Sequence, residues 1–587
     1  QIKSLAVIYK NKQSELMQKN NENIFTIDIS DINIGDDYKY IINNQQERPD
    51  PVSRWQPYGV HGASRVVDAD SYNWSDKEWR GIPLNDLIIY ELHIGTFTKE
   101  GTFAATIDRL HYIKELGITA VEIMPVAEFP GGRNWGYDGV HLYAPQSTYG
   151  GPEGFKQLID ACHKQGLAVI LDVVYNHLGP EGNYLNEYAP FFTKRYHTPW
   201  GAALNFDDAE SDGVRRYFID NALYWLTEYH VDAFRLDAVH GIFDFSALHI
   251  LEELNSAVHN EAKKLGRLVH VIAESDLNDV RIIRSNHFGG YGLDAQWSDD
   301  FHHSLHSYLT NTQRGYFIDF GKLAHLKKSI ESGYVYDGKK SAYRKRRHGN
   351  SSKEEPGNKF VVFTQNHDQV ANGSGGVRIS NLITFEQQKL AATLLFCVPY
   401  LPMLFQGQEY GEQAPFIYFT SHSDAELVAA VRKGRHEEFL AFNWQTDFAD
   451  PQAETTFQQS KLNWSLCNKA PHSYILKLYQ DLIKLRKKYC FLNNCRKDMV
   501  EVKINEEESW MQIWRSQPNG QNGLAVFNFN IKAQDIKLNN NLFTNQKVIL
   551  YTETILYGGN ISDLNKLVNN IDVLKLAPYS AVIFSNH

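Results

Sequence analysis

The feature that most limits the fold is an alternation. Between Leu87 and Phe405, short apolar runs rich in β-branched residues take turns with stretches of helical periodicity. The strand candidates are Leu87–Leu92, Ala120–Met124, Ala168–Val174, Ala233–Leu236, Val269–Ala273, Leu293–Gln296, Val361–Phe363 and Met403–Phe405. Helices are clearest at Phe103–Leu116, Gly154–Gln165, Gly213–Tyr229, Phe245–Leu265 and Phe385–Phe396. Parallel strands need a crossover, and a helix supplies it. Eight such units with long insertions predict an α/β protein built on a closed (β/α)8 TIM barrel. An open doubly wound sheet is the rival, but no GxGxxG opens a helix after the first strand.

The flanks read differently. Residues 1–65 contain short strands at Ser4–Tyr9, Ile24–Ile29 and Tyr38–Ile42, which predict a small N-terminal β-sandwich resembling a carbohydrate-binding module. The chain starts at Gln1 without an initiator Met, which leaves open residues lost ahead of it. Pro51 to Trp79 reads as an irregular connection. The barrel is expected over 66–490, closing on the helix Tyr474–Lys488 with its basic last turn. Residues 491–587 predict a second β-sandwich, with strands at Val500–Ile504, Trp510–Arg515, Gly523–Asn528 and Ala581–Phe584. Short Asn runs at 539–541 and 569–570 read as loop composition, and the basic run Arg344–His348 as a solvated loop.

Composition excludes several classes. Lys+Arg 59 against Asp+Glu 69 gives a net charge of −10, a poor match to nucleic acid or an anionic membrane. The longest apolar stretch, Leu390–Phe405, is broken by Pro399 and Pro402 and is too short to span a bilayer. Five Cys without a CxxC pair argue against a zinc site, a redox motif or a disulfide scaffold, and favour a reducing, cytoplasmic setting. Oligomeric state is not legible. Aromatics reach 13%; most will pack, but flat rings also suit sugars.

Barrel active sites lie at the C-terminal ends of the strands. The third strand runs into Asp172-Val173-Val174-Tyr175-Asn176-His177, and the fourth carries Arg235-Leu236-Asp237-Ala238-Val239-His240. The fifth ends in Glu274-Ser275-Asp276 and the seventh in Asn366-His367-Asp368. A lone Asp at a strand end is usually a cap. Four carboxylate-bearing ends of one polarity are not explained by capping, and burying them without function costs stability. Glycosidic cleavage uses such a set, with one carboxyl as nucleophile or base and another as proton donor.

These four segments resemble the signature regions of the α-amylase superfamily (glycoside hydrolase family 13). Three further runs resemble its malto-oligosyltrehalose trehalohydrolase family: Tyr90–Phe97, Asn134–Val140 and Tyr175–Tyr184. So do Ala273–Asp279 and, most particularly, Gly292–His303. The resemblance runs from about Pro51 to Phe442 and is weaker at both ends. It implies a barrel between two β-sandwiches, and hydrolysis of the α-1,4 bond that joins an α-glucan to a terminal trehalose. A partner synthase would supply that malto-oligosyltrehalose.

By the same resemblance, Asp237 is the nucleophile, Glu274 the general acid and then base, and Asp368 the third carboxylate. Glu274 should therefore have a raised pKa while Asp237 stays charged. Arg235 should orient Asp237; His177, His367, Tyr137 and His240 should meet the sugar. Trp297, Asp299 and His302 are expected to help select trehalose. Asp172 and Asn176 are expected to support the loops, and Gln406–Phe419 to rim the cleft. Two departures from the family pattern, Asn372–Arg378 and Gln408, are expected near the cleft. Carboxylate chemistry needs neither metal nor cofactor. The alternatives are a glucan branching transferase on the same trio, since branching enzymes share the first three runs more loosely, and a catalytically silent glucan-binding protein.

Overall fold

The computed structural model describes residues 2–586 apart from 11–13, 22–23, 373, 442–448, 539–545 and 563–572. The Asn runs at 539–541 and 569–570 lie outside the described residues.

Eight parallel strands close a barrel: β1 (Ile89–Leu92), β2 (Ala120–Ile123), β3 (Ala168–Val173), β4 (Ala233–Leu236), β5 (His270–Ala273), β6 (Ala295–Trp297), β7 (Phe360–Phe363) and β8 (Leu401–Phe405). They pair in sequence order, with β8 returning to β1. Each is one of the strands expected from sequence, with ends shifted by at most two residues. Side chains alternate across each strand. On β4, Phe234 and Leu236 join the large core between strands and helices, whereas Ala233 points inward with Ile89, Ala120, Ile170, Ile272, Val361 and Met403 to fill the barrel. The small residues Ala120, Ala168, Ala233 and Ala295 leave room at this inner layer for Ile, Met and Trp neighbours.

The helices differ from expectation in two places. The helix expected at Phe103–Leu116 is two pieces, Phe103–Ile107 and α1 (Leu110–Leu116), interrupted at Arg109 with ψ −6. α2 (Gly151–Lys164) and α3 (Ser211–Glu228) match the sequence reading closely. The helix expected from Phe245 begins only at Ile250 as α4 (Ile250–Leu265). Asp244 is the reason: its carboxylate accepts from the N–H groups of Ser246 at 2.9 Å and Ile250 at 2.6 Å, and pairs with Arg215 of α3 at 2.7 Å. α5 (Phe385–Cys397) opens with a capping box between Thr384 and Gln387. α6 (Ala425–Ala441) follows the β8 loop, and α7 (His472–Lys488) packs on α5.

At the N-terminus, Leu5–Tyr9 and Asp37–Ile42 pair antiparallel in a five-stranded sheet. The strand expected at Ile24–Ile29 is only Phe25–Thr26, in a hairpin with Gln18–Lys19. Ser64–Arg65, inside the expected irregular connection, adds to the sheet edge. At the C-terminus, Val500–Asn505, Trp510–Arg515, Gly523–Asn528, Ser580–Ser585 and Lys547–Tyr551 form one antiparallel sheet, with Gln534–Lys537 and Val573–Leu576 as a separate pair. This sheet is tied to the barrel by Arg515, which donates to the carbonyl of Cys397 at 2.7 Å. The five cysteines are free. Among the described residues no helix is long and apolar enough to cross a membrane.

The run Arg344–His348 is not a plain solvated loop. Arg347–His348 pairs with Lys339–Lys340, His348 is buried, and the Arg344 guanidinium reaches Asp276.

Candidate active site

The sequence of β4 sets the site. Arg235 and Asp237 are two residues apart and share a face. Parallel register places Asp172 of β3 opposite Arg235. Arg235 is fully buried, and its Nη1 donates to both Asp172 oxygens at 2.9 Å and to Asp237 Oδ1 at 2.8 Å. Its Nη2 lies 2.8 Å from Glu274 Oε2 at the end of β5. One guanidinium thus holds three carboxyl groups. Trp297 of β6 stacks on it, with the Arg235 carbon 4.3 Å from the ring centre.

Above this floor opens a cavity of about 610 Å³ at the C-terminal ends of the strands. Asp237, Glu274 and Asp368 line it, as do Tyr137, His177, His240 and His367. Tyr137 comes from the loop after β2; its hydroxyl donates to Asp172 Oδ2 at 2.7 Å and lies 2.8 Å from His367 Nε2. His177 is buried, with Nε2 3.0 Å from the Tyr137 carbonyl. The hairpin Phe192–Thr198/Gly201–Leu204 carries Trp200 at its tip, stacked on His177 at 5.3 Å.

Electrostatics in the open cleft differ from the expectation for the acid–nucleophile pair. Burial pushes the Asp237 carboxyl well up, with Arg235 opposing. Burial acts the same way on Glu274, but Arg235, the Ala238 N–H at 2.9 Å and the charges of His240 and His367 hold it below the usual range. The two shifts thus run opposite to the expected raised Glu274 beside a charged Asp237. At Asp237 burial, with the Glu274 charge, outweighs Arg235, whereas at Glu274 Arg235 and the Ala238 N–H outweigh burial; facing each other across one guanidinium, the two carboxyls titrate as one unit.

A smaller chamber of about 150 Å³ adjoins the cleft and shares Asp368, Tyr316 and Asn372 with it. Asp299, Asp276 and Arg344 line this chamber. Of the three residues expected to select trehalose, only Asp299 reaches it. Trp297 and His302 are both 2% exposed and line neither chamber. Trp297 backs Arg235, and His302 packs among His303, His306 and Phe363. Both stand behind the chamber walls.

Asn176 is buried with neither amide atom bonded. Gln408, expected near the cleft, bonds Thr364 at 2.8 Å and Tyr479 at 2.9 Å instead. Arg378 is buried and pins the Gln406–Phe419 loop through the carbonyls of Gln406 and Ala414, whereas Asn372 does face the cleft. Tyr418 of that loop lines the cleft as expected for a rim.

Sequence reasoning passed over Glu91, Trp135, Trp200, Tyr316 and Arg435. All but Glu91 line the large cavity. Glu91 sat in view, as the polar residue in an otherwise apolar strand. Trp135 stood inside the run Asn134–Val140 without being singled out, and the remaining three come from insertions with no periodic signal. Among the described residues no group of three or more His, Cys, Asp or Glu is arranged to hold a metal ion.

Comparison with known proteins agrees with this geometry. The α-amylase catalytic-domain family matches residues 64–200 and 202–494. The malto-oligosyltrehalose trehalohydrolase of Saccharolobus solfataricus is 48% identical over 526 residues, covering 90% of this chain and 89% of its own. A glucan branching enzyme from Pseudoalteromonas atlantica is 25% identical, over 94% of this chain and 74% of its own. A crystal structure from Salmonella typhimurium, described as a candidate alpha amylase, superposes with a TM-score of 0.89 at 36% identity, covering 100% of this chain and 96% of that one. The chain belongs to the α-amylase family and, within it, to the malto-oligosyltrehalose trehalohydrolases.

Proposed function

We propose that the chain hydrolyses the α-1,4-glucosidic bond next to the terminal trehalose of malto-oligosyltrehalose, releasing trehalose by a retaining mechanism. The observation that carries the chemistry is Arg235, which holds Asp237 and Glu274 on the wall of one open cleft. The likeness over nine-tenths of the chain to a trehalohydrolase supplies the substrate.

In this reading Asp237 attacks the anomeric carbon, the bond to the trehalose oxygen breaks, and Glu274 gives that oxygen its proton. The glucan stays on Asp237 as an ester. Glu274, now a carboxylate, takes a proton from water, which attacks the same carbon and frees Asp237. Glu274 begins bound to Arg235 and the Ala238 N–H; sugar entering on its side displaces it, and the proton the pair shares moves to Glu274, which leaves Asp237 the carboxylate that attacks. Ester formation removes the Asp237 charge and leaves Arg235 to steady Glu274 as a base. Asp368 and His367 grip ring hydroxyls, and Tyr137 and His177 line the same ring's bed. The wide cleft suits a glucan of variable length. The smaller chamber with Asp299, Asp276 and Arg344 suits a terminus of fixed size.

We also place the chain in the cytoplasm, acting after a synthase that builds the trehalose end, with domain limits at 1–65, 66–490 and 491–587. Incubation with malto-oligosyltrehalose and sugar analysis tests the function. Free trehalose with a matching malto-oligosaccharide is expected. New α-1,6 branches without trehalose would make it a branching transferase, and bound but unchanged sugar a silent binder.

A further inference from the structure

Beneath Asp368 lies a buried pair of which the mechanism above uses only the histidine. Glu91, inward on β1, and His367, at the end of β7, are both fully enclosed. Glu91 Oε1 sits 2.5 Å from His367 Nδ1, and Glu91 Oε2 accepts the His367 backbone N–H at 3.1 Å. The other ring nitrogen, Nε2, is 2.8 Å from the Tyr137 hydroxyl.

A count of donors fixes the protons. Burial lifts Asp172 to about 6, but Arg235 clamps both its oxygens, so near neutral pH it is ionised and only accepts. Tyr137 has one hydroxyl proton and gives it to Asp172 at 2.7 Å. Its oxygen must then accept from His367, which requires a proton on Nε2. Glu91 already accepts a backbone N–H, which favours its ionised form, and an ionised carboxylate requires a proton on Nδ1. Both ring nitrogens carry hydrogen.

We propose that Glu91 is a positioning residue that keeps His367 doubly protonated, so that a fixed imidazolium stands under the sugar, 3.5 Å from Asp368. This rests on the reading of the cleft as a glycosidase site. The pair starts an unbroken chain from the barrel interior to the acids: Glu91, His367, Tyr137, Asp172, Arg235, and from Arg235 to Asp237 and Glu274.

The surrounding charges agree. Burial opposes an imidazolium, yet the charges of Asp368 and Glu91 and the Glu91 hydrogen bond raise His367 to about 9, against Arg235. From β1, His93 adds no competing positive charge, since burial lowers it to about 4. Glu122 of β2, register partner of Glu91, is pushed well up by burial and then by Glu91. Neither of its oxygens has a hydrogen-bond partner. Of these two acids, Glu91 is the one with hydrogen-bond partners, both on His367. Without it, a histidine buried on every side would lose a proton, and Tyr137 would no longer be fixed as a donor to Asp172.

The test uses the whole chain labelled with 15N-histidine, with the His367 signal found by difference from His367→Asn. At pH 7 both His367 nitrogens should show protonated shifts, titrating only on approach to pH about 9. In Glu91→Gln they should show a neutral ring at pH 7. A neutral His367 in the unaltered protein, or an imidazolium that survives Glu91→Gln, overturns the proposal. The first result needs no change at Glu91, and neither depends on which sugar is cut. Kinetically, Glu91→Gln should cost about 10–100-fold in kcat near neutral pH, the scale at which a metal-bound histidine's lost hydrogen-bond partner is felt. The loss should shrink at pH 5.5, and Glu91→Asp should recover part of it. An equal loss at every pH would mark Glu91 as merely structural and overturn the positioning role.

Discussion

The backbone N–H of Ala238 donates to Glu274 Oε2 at 2.9 Å, across the ends of two adjacent strands. Ala238 reaches this position with φ 37 and ψ 52, a left-handed conformation rare outside glycine. The turn after Asp237 is thus shaped to aim a donor at Glu274. Ala238→Gly should keep near-normal turnover, since glycine accepts this conformation freely. Ala238→Val, with a β-branched side chain at positive φ, should lower kcat about tenfold or more with a smaller change in KM. Steady-state kinetics on malto-oligosyltrehalose compare the two.

Arg235 bonds Asp172 and Asp237 and pairs with Glu274, which a planar fork can do and an ammonium cannot. Arg235→Lys should cost about a hundredfold in kcat through misplacement of the acids. It should also cost about 3 kcal/mol of stability, because part of a buried charge cluster loses its partner. Activity assays and denaturant unfolding read the two losses. A variant within threefold of normal turnover would remove Arg235 from the account.

Trp297 backs Arg235, whereas Asp299 faces the smaller chamber. Trp297→Leu should therefore lower kcat alike on trehalose-capped and uncapped glucans. Asp299→Ala should raise KM for the capped substrate about tenfold, the scale of one lost polar contact, and leave the uncapped one nearly unchanged. The opposite pattern would return Trp297 to the role the sequence suggested.

Glu128 offers a pH test away from the cleft. It is buried, accepts the Ser147 N–H at 2.7 Å, and burial lifts it from 4.5 to about 8. An acid raised on folding stabilises the fold fully below its unfolded value, and that contribution fades as pH rises through the folded one. Stability should fall between about pH 4.5 and 8, by up to about 1.4 kcal/mol per pH unit from this group. Glu128→Gln should flatten that part of the profile, as read by thermal unfolding at stepped pH.

Much of this was legible in the chain because barrel strands are buried on both faces and announce themselves as apolar runs. The spacing of Arg235 and Asp237 gave their shared face directly, and each carboxylate-bearing strand end fell where the barrel rule puts it. What was not legible was direction. Trp297 and His302 stand beside Asp299 in sequence, but only Asp299 escapes the packing around β6. The late start of α4 depended on Asp244 meeting Arg215, a contact between separate elements. Trp200 and Arg435 reach the cleft from a hairpin and a helix inserted after β3 and β8, whose paths no periodicity records. Glu91 could have been suspected as a charged residue inside a buried strand, yet its partner is 276 positions away.

The most direct measurement is to trap the covalent intermediate with an activated 5-fluoro-α-glucosyl donor and locate the added mass by peptide sequencing. The sugar should be found as an ester on the side chain at 237, and Asp237→Asn should take up none while still folding and binding glucan. Label on Asp368 or Glu274 instead, or normal turnover by Asp237→Asn, would contradict the assignment on which the mechanism is built.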